Sequence, residues 1–79
     1  MMPTVWRNGP YRFLFYSNEG TEPSHIHIQE GQKLAKFWLD PVSLAASKHF
    51  NAHELTRLEH LVIDQQHQLV EAWNAFFNI

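Results

Sequence analysis

The sequence predicts an α+β domain: an antiparallel sheet of three or four strands over residues 3–39, packed on one face by a short helix near 42–48 and a long helix near 52–77. Three observations predict it. Before Asp40 the chain alternates apolar and polar residues in short runs, separated by the turn signals Asn8-Gly9-Pro10, Asn18-Glu19-Gly20 and Gly31-Gln32. From Ala52 to Phe77 there is neither Gly nor Pro, and Leu55, Leu58, Val62, Leu69, Trp73 and Phe76 recur at helical spacings. The content is 44% hydrophobic in 79 residues, with three Trp, six Phe and two Tyr, enough large side chains to offset the entropy of ordering one domain spanning residues 1–79.

The elements follow in order. Thr4-Val5-Trp6-Arg7 is β-branched and aromatic and precedes a turn, so it reads as a short first strand, with Pro3 suited to a strand start. In Tyr11-Arg12-Phe13-Leu14-Phe15-Tyr16-Ser17 the aromatics Tyr11, Phe13 and Phe15 share one face and Arg12, Leu14 and Tyr16 the other. The third strand carries His25-Ile26-His27-Ile28, both imidazoles leaving one face and both isoleucines the other. In the fourth, Ala35, Phe37 and Leu39 alternate with Leu34, Lys36 and Trp38, which places Lys36 on a mixed face beside the histidines. Asp40-Pro41 closes the sheet, and Val42-Ser43-Leu44-Ala45-Ala46-Ser47 reads as one or two helical turns with Asp40 as cap. Asn51 with Glu54 three residues later is an Asn form of the capping box and starts the long helix.

Composition excludes several function classes. The absence of cysteine rules out a disulfide framework or a thiolate site and suits a reducing compartment, and no apolar run reaches the roughly 20 residues that span a bilayer, so the expectation is a cytoplasmic protein with no membrane partner. Residues 1–39 carry Arg7, Arg12, Lys33 and Lys36 against three glutamates, whereas residues 40–79 carry Lys48 and Arg57 against five acidic groups. Four basic residues fall short of the footprint of a dedicated nucleic-acid binder, so that class is weakly supported.

Six histidines raise the question of a site. His53, His60 and His67 fall on one helical line with Arg57, Asp64 and Glu71, opposite the apolar stripe, and read as a solvated face. His25 and His27 differ, because alternate positions on a strand present two nitrogens about 6–7 Å apart. They are the candidate catalytic pair, one as base and one as acid, with Lys36 or Arg12 stabilising negative charge on a phosphate. Two histidines are too few for a zinc site, and a third ligand would have to come from Glu22, Glu30 or the helix. Neither a metal nor a cofactor is therefore expected.

Met2-Pro3-Thr4-Val5-Trp6, the Tyr11 to Glu19 run, Glu22-Pro23-Ser24-His25-Ile26-His27-Ile28, Ala35-Lys36-Phe37-Trp38-Leu39 and the long helix ending in Trp73 and Phe76-Phe77 follow a known order. Over nearly its whole length the chain resembles the family of small bacterial proteins catalogued as domain of unknown function 4160. The Pro-x-His-x-His and Ala-Lys-Phe-Trp-Leu segments are its most specific signatures, with Ser24 where a second proline is common. The resemblance implies a small cytoplasmic protein encoded beside a second small protein, in an arrangement similar to toxin and antitoxin pairs, and assigns no catalytic residue. Three functions follow: an interaction module bound to the neighbouring gene product or to a second copy, a metal-independent ribonuclease-like toxin using His25, His27 and Lys36, or a metal-binding accessory protein.

Overall fold

The computed structural model describes residues 4–78; the strand start expected at Pro3 lies outside them. Five strands run in chain order across one antiparallel sheet: β1 (Thr4–Asn8), β2 (Tyr11–Leu14), β3 (His25–Glu30), β4 (Lys33–Leu39) and β5 (Val42–Lys48). Two helices, α1 (Ala52–Asp64) and α2 (Gln66–Phe77), cover one face, α1 over β4 and β5 and α2 over β3 and β4.

The alternation read from β2, β3 and β4 is what builds the core. Tyr11, Phe13, Phe15, Ile26, Ile28, Ala35, Phe37 and Leu39 are buried against Leu58, Val62, Leu69 and Trp73 of the helical stripe. Leu55 and Phe76 pack half-buried at its margin. Asn51 caps α1 through a complete capping box: its side-chain oxygen accepts from the Glu54 N–H at 2.8 Å, and the Glu54 carboxylate accepts from the Asn51 N–H at 3.0 Å. Lys33 Nζ reaches the same carboxylate at 2.7 Å and ties β4 to α1.

Two expectations are corrected. Residues 42–48 form not a short helix but a fifth strand, so the sheet has five strands rather than three or four. Ala, Leu and Ser there tolerate a helix, yet the open backbone of β4 offers a ladder of hydrogen bonds, and pairing overrides a weak local preference. A bulge hides the strand from a periodicity search. Phe37 pairs with Leu44 and Lys36 with Ala46, leaving Ala45 as the extra residue. Val42 and Leu44 thus share the helix-facing side with Leu39 and Phe37, while Ala46 and Lys48 cross to the face of Lys36 and Leu34.

The long helix is also divided, at Gln65, without Gly or Pro. A straight helix over residues 52–77 would run about 39 Å, whereas the longest dimension of the molecule is 34 Å. The Gln65 N–H still bonds the Leu61 carbonyl, and Gln66 Nε2 turns inward to donate to the Leu39 carbonyl at 2.6 Å, fixing the break over the end of β4. None of the described helices is long and apolar enough to cross a membrane.

Candidate functional site

The face of the sheet away from the helices carries the chemistry. Cross-strand pairing puts His25 opposite Trp38 and His27 opposite Lys36, so the neighbourhood of Lys36 and His27 read from alternation is present. The two histidines nevertheless have different surroundings. β2 ends at Leu14, which pairs with His27, and no β2 residue pairs with His25. That gap is filled from the side by Trp73 of α2, whose ring centroid lies 4.7 Å from that of His25, and by the connection over residues 15–24. His25 is fully buried, whereas the His27 side chain is 17% exposed beside Tyr16, ring centroids 4.4 Å apart.

The connection is two consecutive turns. The Glu19 N–H donates to the Tyr16 carbonyl and the Glu22 N–H to the Glu19 carbonyl, so Glu19 is at the junction. Gly20 makes this possible: a Cβ there would stand 2.5 Å from Phe77 Cδ1, so only glycine lets the turn lie against the end of α2. Glu19 is thereby held over the histidine strand. Its Oε1 lies 2.9 Å from His25 Nε2 and 2.7 Å from His27 Nε2. His25 Nδ1 lies 2.9 Å from the Pro23 carbonyl, which can only accept, so Nδ1 is the donor of that bond. Glu22 completes the group, receiving Lys36 Nζ at 2.8 Å with its Oε1 3.7 Å from His25 Nδ1.

Glu19 is the residue missed by the sequence reading, which names Glu22, Glu30 or the helix as the source of a companion to the pair. The Asn18-Glu19-Gly20 turn was its one available signal. Glu30 sits at the far end of β3, paired with Lys33. Arg12 donates to Thr4 Oγ1 and to Gln29 on the same face, away from this group. His53, His60 and His67 are exposed along the helices, as their position opposite the stripe implied, with His67 3.4 Å from Glu71.

Electrostatics follow from burial and partners. For Glu19, burial opposes ionisation, but the hydrogen bonds and charge of His25 and His27 outweigh it and hold the carboxyl below its ordinary 4.5. For His27, burial dominates, Glu19 pulls the other way, and His25 and Lys36 assist burial, leaving the imidazole below its ordinary 6.5. In both cases the unfolded chain takes up protons first, so stability rises with pH. The His27 contribution is complete above 6.5 and the Glu19 contribution above 4.5, each being lost as pH falls through the folded-state value. Thermal melts from about pH 7.5 to about pH 4 should show a falling midpoint whose lower limb is reduced in Glu19→Gln. A midpoint independent of pH would contradict this account of the network.

Beside His27 and Tyr16 lies an open apolar depression of about 240 Å³, lined further by Leu34, Lys36, Ala46 and Lys48. The model of a family described as domain of unknown function (DUF4160) matches residues 11–74, which include β2 to β5 and most of both helices. No curated protein and no solved structure matches the chain.

Proposed function

We propose, from the premise that this chain belongs to the DUF4160 family, that it is a protein-interaction module whose partner docks across the outer edge of β5 and the depression next to it. The observation that carries this reading is β5 itself. It is the last strand of the sheet, and six of its seven residues are exposed. An edge strand presents a row of backbone donors and acceptors to any extended segment laid beside it. Ser43, Ala45, Ala46 and Ser47 are small enough to let a second backbone approach. The opposite edge, β1, is shorter, has its own irregularity between Thr4 and Trp6, and bears Arg7.

The partner is then an extended segment of the small protein encoded beside this one in a bacterial, cytoplasmic, toxin–antitoxin-like pair. One apolar side chain fills the depression, and an acidic group meets Lys48. The ribonuclease-like alternative has less support, since His25 is fully buried and Lys36 is held by Glu22.

Ala46→Arg is expected to weaken binding of the neighbouring gene product by about tenfold or more, the loss of more than 1 kcal/mol typical of a central contact. Ala46 is exposed, so the circular dichroism spectrum should not change. Calorimetric titration showing equal affinity for wild type and variant would remove β5 from the interface. A wild-type dimer that Ala46→Arg dissociates would assign the edge to a second copy. Purified protein should leave total RNA intact with or without chelator.

A further inference from the structure

We propose that Glu19, His25 and His27 form a three-ligand site for a divalent transition-metal ion of the zinc class. The donor atoms of the three residues all lie within 4.8 Å of one another. Ligands of a tetrahedral ion at about 2.0–2.2 Å stand roughly 3.3–3.6 Å apart, so the widest separation in the group, up to 4.8 Å, has to close by somewhat over 1 Å through a shift of the partly exposed His27 ring, and the 2.7 and 2.9 Å separations from Glu19 have to open by about half an ångström. Glu19 is on a turn, outside any strand or helix, and can move by that much.

The orientation of His25 is the more telling feature. Its Nδ1 proton is committed to the Pro23 carbonyl, so in a neutral ring Nε2 is a bare lone pair facing a carboxylate oxygen 2.9 Å away. Two acceptors at that distance are stable only with a positive centre on or between them. A backbone carbonyl fixing one ring nitrogen while the other points at the ion is also the usual support of a metal-bound histidine. With neutral imidazoles the group holds two carboxylates, Glu19 and Glu22, against one ammonium, Lys36, which favours a cation further.

Two imidazoles and one carboxylate leave a fourth position, as in sites that bind water or an incoming ligand. It falls on the partly exposed side of the cluster, where His27 is 17% and Glu19 19% exposed. The site does not rest on the docking reading, which is tested at Ala46.

The test is calorimetric titration of the full chain, stripped with chelator and then dialysed, with zinc chloride. One ion per chain is expected, with affinity at least about tenfold lower in Glu19→Gln and in His27→Gln. The triple change His53→Gln, His60→Gln, His67→Gln should bind as wild type does, because those side chains lie on the exposed helical face. Nitrogen NMR of the imidazoles gives a readout free of any folding defect in the variants: zinc should shift the Nε2 resonances of His25 and His27 in the wild-type chain. The proposal is overturned by absence of saturable binding, by binding that survives both single changes, or by zinc-induced shifts confined to the helix histidines.

Discussion

Trp73→Ala is expected to lower the unfolding free energy by roughly 3–5 kcal/mol, the range for removing a buried Trp or Phe. Trp73 is 2% exposed and is the junction between core and histidine face. Its ring stands 5.4 Å from Phe15, 4.2 Å from Phe77 and 4.7 Å from His25, centroid to centroid. A chain of this length has a total stability of roughly 4–12 kcal/mol, so the variant should lose at least about a quarter of it. Urea unfolding with a midpoint shift equivalent to less than about 1 kcal/mol would place Trp73 outside the core.

The second large effect separates the two histidines. His25→Ala removes a fully buried ring whose Nδ1 is bonded to the Pro23 carbonyl and whose Nε2 lies 2.9 Å from Glu19, with Trp73 and Trp38 packed around it, Trp38 at 5.5 Å. The change opens a cavity and strips the Pro23 carbonyl of its donor, a combined cost of roughly 2–4 kcal/mol. His27→Ala loses one hydrogen bond and a partly exposed ring, and should cost about 1 kcal/mol. Denaturant midpoints that fall by the same amount for both variants would contradict the division of roles between a buried support and a surface group.

The physical source of each element decides how much of it the sequence showed. β2, β3 and β4 were legible because alternation of Tyr11 and Phe13, of Ile26 and Ile28, and of Ala35, Phe37 and Leu39 is a local pattern that the helix-facing side imposes. The helical stripe was legible for the same reason. β5 was not, since the bulge at Ala45 breaks its period and its strand character comes from β4 rather than from its own residues. The division at Gln65 has no Gly or Pro to mark it, and the bond from Gln66 to the Leu39 carbonyl that fixes it joins residues far apart in sequence. In the site, pairing of His27 with Lys36 could be read from alternation, whereas Glu19 could not, because two turns and the close packing of Gly20 on Phe77 carry it across the strand.

The edge of β5 is the feature on which the functional account depends, and amide hydrogen exchange addresses it residue by residue. In the free protein the amides of Val42–Lys48 that point away from β4 should exchange quickly, the others being held in the ladder. Exchange is compared for the chain alone and with the neighbouring gene product in excess. The account predicts that the fast set in Val42–Lys48 slows on complex formation while α1 and α2 are unaffected. Unchanged exchange along β5, with protection appearing instead on the helices or on β1, would contradict it.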